Sequence, residues 1–164
     1  MDPIKVMING LPGNMSTKAA EHVLRESSLK LIPYALTGPE IEDRETQIGS
    51  QAVRLIKPDE RQQMIESIKR SEGTVICVDY THPGAVNDNA AFYCENGLPF
   101  VMGTTGGDRT RLVETVQKSE VAAVIAPNMA KQIVAFQAMM EYAAETFPEV
   151  FKTYSLEIME SHQQ

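Results

Sequence analysis

Residues 4 to 23 constrain this chain more than any other stretch. They read as an apolar strand (Ile4, Val6, Ile8), a glycine turn Asn9-Gly10-Leu11-Pro12-Gly13-Asn14-Met15, and an amphipathic helix from Ser16 to Val23. Strand, tight turn and helix in that order build a site for a phosphate. Gly10 takes backbone angles closed to other residues and Gly13 lets the chain pass close to a ligand, so the amides of Asn14 and Met15 face outward at the positive end of the helix dipole. The full dinucleotide fingerprint is G-x-G-x-x-G/A, and this turn is the shorter G-x-x-G-x-M. Any parallel α/β domain can open with a glycine turn between its first strand and helix, so the turn alone leaves a pyrophosphate site and a plain connection both open.

Composition narrows the partners. A chain of 164 residues with 43% hydrophobic and 23% charged residues suits one ordinary soluble domain with a proper core. A net charge of −7 without a Lys/Arg cluster argues against nucleic acid, because phosphate-backbone binding needs a basic face. A compact site for one small anion is still compatible. Cys77 lies in an apolar run and Cys94 in a helix, without the C-x-x-C spacing of a metal or redox site, so both read as buried thiols in a reducing compartment and no metal is expected. The longest apolar run is far short of a membrane span, and the first residues show neither a secretory segment nor a transit peptide.

The rest of the chain reads as alternating strands and helices. Leu29 to Leu36 is a second strand ending at Thr37-Gly38-Pro39, where NAD sites of this type place an Asp or Glu on the ribose hydroxyls. Its absence leans the site towards NADP, with Thr37, Gly38 and Lys18 as candidate contacts. Residues 40 to 50 read as a surface loop before a short strand over 52–56, and Pro58 starts a helix to Arg70. Thr74 to Tyr80 is almost continuously apolar, as for a central parallel strand, and places Tyr80, Thr81 and His82 at the mouth of the first turn. His82 reads as a solvent-facing residue at a Pro-stopped strand end. A helix over 84–96 and a strand over 99–102 lead to a second glycine-rich turn, Gly103-Thr104-Thr105-Gly106-Gly107-Asp108, whose amides and threonine hydroxyls point to the same sheet edge. A helix over 109–119 and strand Val121 to Ala126 follow. Asn128 then caps a long helix to Phe147, with Met129, Ile133, Phe136, Met140, Ala143 and Phe147 as a core stripe. Ser155 to Glu160 alternates like a half-buried strand.

Five strand-end motifs in this order, Gly10-Leu11-Pro12-Gly13-Asn14-Met15, Val78-Asp79-Tyr80-Thr81, Gly103-Thr104-Thr105-Gly106, Ala126-Pro127-Asn128 and Glu160-Ser161-His162, resemble dihydrodipicolinate reductase, and the longer runs around them resemble its plant branch. The resemblance covers essentially the whole chain. It implies a Rossmann-like, doubly wound, mostly parallel sheet over residues 1–152, with 153–164 opening a C-terminal α+β domain for substrate contacts and oligomerisation. It also implies NADPH, or NADH, as hydride donor to a small cyclic dicarboxylate in lysine (diaminopimelate) biosynthesis. The cofactor residues it implies are Gly10, Gly13, Asn14 and Met15 for the pyrophosphate, Thr37 and Gly38 near the adenosine ribose, Tyr80 and Thr81 on the nicotinamide side, Gly103 and Thr105, and Asn128 with Met129. Thr104 and Thr105 match its anchor for a substrate carboxylate, and His162 its catalytic histidine beside the transferred hydride. Ser16 replaces a common third Gly, which implies slightly looser helix–strand packing.

The resemblance further implies a homo-oligomer for full-length members, a monomer for this piece, and a plastid address if the source is a plant, the cytoplasm otherwise. Two other classes compete. A stand-alone or vestigial dinucleotide-binding module would bind without reacting, and a flavodoxin-like phosphate or receiver domain would need an acidic cluster at the strand ends beyond Asp79.

Overall fold

The computed structural model describes residues 2–126, 128–150, 152–155 and 157. The chain divides into two compact units, Met1–Pro127 and Asn128–Gln164. The sequence reading draws its boundary at 152 instead.

In the first unit the elements run β1 (Ile4–Asn9), α1 (Asn14–Arg25), β2 (Leu29–Leu31), β3 (Tyr34–Leu36), β4 (Glu45–Ile48), β5 (Gln51–Ile56), α2 (Arg61–Glu72), β6 (Ile76–Asp79), α3 (Val86–Glu95), β7 (Phe100–Met102), α4 (Arg109–Gln117) and β8 (Ala123–Ile125). Five strands form one sheet in the order β2-β1-β6-β7-β8, every neighbour parallel. Side chains of β1 alternate between two cores, as a sheet covered on both faces requires. Val6 and Ile8 pack with Ala20 and Val23 of α1, whereas Met7 packs with Ile65 and Ile68 of α2, Tyr93 of α3 and Leu112 of α4. This is the expected doubly wound, Rossmann-like arrangement. Strand order reverses between β1 and β6, so the crevice above their carboxyl ends is where such a sheet takes a ligand.

The expected second strand is two strands in two sheets. Ile32 N donates to Val6 O in the first sheet, while Arg54 N donates to Pro33 O in the second, so the chain changes sheets at Ile32-Pro33. Pro33 has no N–H to continue the ladder. The second sheet, ordered β3-β5-β4, contains a hairpin in the stretch read as loop, with β4 antiparallel to β5 and Gly49 at φ 60° in its turn. Of β4 only Ile48 is buried, so its sequence shows too little alternation to be read as a strand.

In the second unit, α5 (Lys131–Thr146) starts three residues after Asn128 and has no side-chain cap. Asn128 Oδ1 instead accepts from Ala130 N at 3.1 Å, a local turn ahead of the helix. No residue of α5 is buried, and Met129, Phe136 and Phe147 of the expected core stripe are exposed. Among the described residues of this unit α5 is the only helix, so no second helix closes over such a stripe. Ser155 and Glu157 belong to no strand. Leu156 and residues 158–164, His162 among them, lie outside the described residues. Among the described residues no helix is long and apolar enough to cross a membrane.

Candidate functional site

The first turn is wedged against the exit of β6. Gly10 has φ 94°, and a Cβ there would collide with the Tyr80 carbonyl, so no other residue fits. Gly10 N donates to Leu36 O at 2.9 Å, tying the turn to β3. Gly13 N returns to Gly10 O at 2.9 Å, and a Cβ on Gly13 would stand 2.9 Å from that same oxygen and 3.2 Å from Ser16 Oγ. Gly13 is therefore required by the turn's own closure, before any ligand approaches. Ser16 is fully buried and its hydroxyl lies 2.7 Å from Gly10 O and 2.9 Å from Gly13 O as donor, so it ties turn to helix where looser packing was expected. No side chain caps α1. The amides of Asn14 and Met15, at its first turn, have no intrahelical acceptor, but of this segment it is Gly13 at the N-cap, and neither Asn14 nor Met15, that lines the cleft above the turn.

A cleft of about 980 Å³ lies over this turn, walled by Gly10 to Gly13, by Thr37, Gly38 and Glu40 at the exit of β3, and by Tyr80, Thr81 and His82 at the exit of β6. Thr37 is buried and donates its hydroxyl to Leu11 O at 2.7 Å, so its proton holds the turn. A Cβ on Gly38 would collide with the carboxylate of Glu40, which therefore stands where the second strand itself offers none. Arg61 also lines the cleft, its guanidinium 4.5 Å from the centroid of the Phe92 ring. His82 Nδ1 accepts from Gly84 N at 3.1 Å and caps the single 3-10 turn Pro83–Ala85.

Behind the cleft sits a buried polar chain. Asp79, with no exposed surface, accepts on Oδ1 from Thr81 Oγ1 (2.7 Å), Thr104 Oγ1 (2.7 Å) and Thr81 N (3.1 Å), and on Oδ2 from the Tyr93 hydroxyl (2.7 Å) and Asn89 Nδ2 (3.0 Å). Tyr93 Oη accepts from Asn9 Nδ2 at 2.9 Å, and Asn9 Oδ1 accepts from Leu36 N at 2.8 Å. Asn9 thus clasps the two sheets where the cleft opens. Burial first, then the charge of Asp79, raises the Tyr93 hydroxyl well above its usual pKa, and the same two causes push the Cys77 thiol up.

Of the second turn, Gly103 lies against the Tyr80 ring, which a Cβ there would strike, and Gly106 is held at φ 108° against Pro83. Thr105 is exposed, while the Thr104 hydroxyl points inward to Asp79, and Gly103, Thr104 and Thr105 do not line the cleft. Asn128 and Met129 open the second unit. Sequence reasoning missed Asn9, Glu40, Arg61, Asn89 and Tyr93. A signal existed for the chain behind the cleft, because Asn9 follows the apolar run Val6-Met7-Ile8 and Asp79 the apolar run Ile76-Cys77-Val78, and polar groups there must find partners.

Residues 4–129 match the family model described as dihydrodipicolinate reductase, N-terminus. A rice protein (Oryza sativa subsp. japonica) named probable 4-hydroxy-tetrahydrodipicolinate reductase 2, chloroplastic, is 46% identical over 158 residues, 96% of this chain and 48% of its own length. The Arabidopsis thaliana protein named 4-hydroxy-tetrahydrodipicolinate reductase 2, chloroplastic, is 44% identical over 160 residues, 98% of this chain and 46% of its own. The chain spans about half the length of the curated relatives it matches. Among solved structures, the dipicolinate-bound dihydrodipicolinate reductase from Paenisporosarcina sp. TG-14 superposes with a TM-score of 0.69 at 22% identity, over 89% of this chain and 55% of that one, a likeness of fold.

Proposed function

The chain belongs to the dihydrodipicolinate reductase family, and from that premise we propose that it is the dinucleotide-binding part of a 4-hydroxy-tetrahydrodipicolinate reductase. The bound cofactor would be NADPH or NADH, supplying a hydride to a small unsaturated cyclic dicarboxylate in lysine biosynthesis. The observation that carries this reading is the wedged turn, in which Gly10 pressed on Tyr80 sets Gly13, the N-cap of the side-chain-uncapped helix α1, on the cleft between the exits of β3 and β6. That arrangement fits a pyrophosphate between two nucleoside halves. Thr37 and Gly38 lie on the adenosine side, and Tyr80 and Thr81 on the nicotinamide side, with Gly103, Thr105, Asn128 and Met129 as further contacts by resemblance. Thr105 is the better anchor for a substrate carboxylate, because the proton of the Thr104 hydroxyl is engaged by Asp79. His162 would hold or move a proton beside the reduced carbon.

Two features of the cleft bear on cofactor choice in opposite directions. Glu40 at Gly38 suits ribose hydroxyls and repels a 2′-phosphate, whereas Arg61 on the same cleft suits that phosphate. Both cofactors are therefore expected to bind. A plastid address, as in the names of the plant relatives, and homo-oligomerisation of the whole enzyme complete the proposal. Titrating the chain with NADPH and NADH, read by the fluorescence of the reduced ring, tests it. Saturable binding is expected, and its absence for both cofactors refutes the assignment.

A further inference from the structure

The buried carboxylate of Asp79 decides what the cleft can say to a ligand. A carboxylate only accepts, so every group within hydrogen-bond distance of it must donate. Thr81 has one hydroxyl proton, and its oxygen lies 2.7 Å from Asp79 Oδ1, so that proton points inward. One lone pair of the same oxygen accepts from Asn89 Nδ2 at 3.1 Å. The Thr81 amide is also spent, on Asp79 Oδ1 and on Thr104 Oγ1 at 2.8 Å. What the Thr81 hydroxyl has left for the cleft is one acceptor lone pair, and neither it nor the amide has a proton to give. No Lys or Arg makes an ion pair with Asp79 among the described residues, so its charge is met by dipoles whose orientations it fixes in return. Tyr93, held by Asn9, and Asn89 keep the carboxylate from rotating.

Resting on the dinucleotide reading above, we propose that Asp79 is a positioning residue that makes Thr81 an acceptor-only edge at the ring end of the cleft. The site then reads the carboxamide of a nicotinamide by its N–H and rejects the corresponding acid. The ring end follows from the fold, because the pyrophosphate turn separates the exit of β3, where an adenosine ribose lies, from the exit of β6, where Thr81 stands. A carboxamide offers two N–H donors to such an edge. A carboxylate offers none and brings lone pairs against a lone pair.

The test compares three ligands on the 164-residue chain by calorimetry: NAD, its nicotinic acid analogue, and ADP-ribose, which lacks the nicotinamide ring. The parent is expected to bind NAD about tenfold more tightly than the acid analogue, the effect of one acceptor met by an N–H or set against a carboxylate. Thr81→Val, which removes the acceptor and leaves the charge of Asp79 in place, is expected to bring that ratio to within about threefold while ADP-ribose binds as before. Thr81→Ser recovers most of the ratio. Should Thr81→Val be too unstable to titrate, Thr81→Ala at the same half-exposed position reports the same quantity. A parent that binds the acid as tightly as the amide overturns the proposal. So does a Thr81→Val or Thr81→Ala protein that keeps the parent's ratio, since the discrimination then comes from the charge of Asp79 alone. A parent that binds ADP-ribose and no better with the ring attached also overturns it, and one that binds none of the three refutes the dinucleotide reading beneath it.

Discussion

Four side chains at the site direct their polar atoms inward. Thr37 holds Leu11, Ser16 holds Gly10, and Thr81 and Thr104 hold Asp79, so their hydroxyl protons are turned away from the cleft, whose charged lining is Glu40, Arg61 and Asp88. Gly10 is the position least able to change. Gly10→Ala adds a Cβ onto the Tyr80 carbonyl at positive φ, and is expected to lower stability by about 2–4 kcal/mol in urea unfolding, combining strain with displaced backbone. Gly13→Val would stress the turn as well as the ligand, because the Gly10 carbonyl stands where its Cβ would go. On the proposed reading Glu40, beside Gly38 on the cleft, faces the ribose. Glu40→Gln should raise affinity for NADPH relative to NADH by about fivefold, roughly 1 kcal/mol, seen as a changed ratio of dissociation constants at fixed salt. Thr37→Asp, a natural design if Thr37 faced the ribose, instead sets a carboxylate against the Leu11 carbonyl and is expected to destabilise.

At the level of elements, the Thr37-Gly38 wall of the cleft, the adenosine side on the proposed reading, hangs on the second sheet and the turn on the first. Thr37 N donates to Ile56 O in β5, while Gly10 N donates to Leu36 O across the seam, so the small sheet positions one half of the site. Ile48 is the buried residue of the edge strand β4, packed in the core that includes Val53, Leu55 and Val23. Ile48→Ala is expected to cost about 2–4 kcal/mol of unfolding free energy, and to weaken ADP-ribose more than it alters the ratio of NAD to its acid analogue. Equal losses on both ligands' halves would mean the second sheet does not bear on the adenosine side.

For the molecule as a whole, binding and turnover should come apart. Orienting a second reactant against the nicotinamide accounts for roughly 7–11 kcal/mol of a barrier, and on the proposed reading the dinucleotide itself fills the cleft. The 164-residue chain is expected to bind NADPH without reductase activity above background, and a chain of the length of its relatives to turn over. Turnover by the short chain would refute this. Stability should also fall in alkali. Cys77 and Tyr93 are neutral in the fold, with pKa values raised above the ordinary 9.0 and 10.0, so the unfolded chain loses those protons first. The stability they contribute is whole below pH 9 and declines above it, by about 1.4 kcal/mol per pH unit for each group, and Cys77→Ala should remove the part that sets in nearest pH 9. The doubly wound sheet was legible because strand, glycine turn and amphipathic helix follow one another from Ile4 to Val23 and because Thr74 to Tyr80 is a short, nearly continuous apolar run suited to a strand covered on both faces, and the ligand edge was legible because glycines mark where backbone must come close. Local signals of that kind survive in one dimension. The break at Pro33, the hairpin over β4 and β5, the return of Glu40 to Gly38 and the chain from Asn9 through Tyr93 to Asp79 were not, because each depends on partners far apart in sequence. Which hydroxyl faces a ligand and which turns away is decided by the acceptor that folding brings behind it, and for Thr81 and Thr104 that acceptor is the one carboxylate at the end of β6.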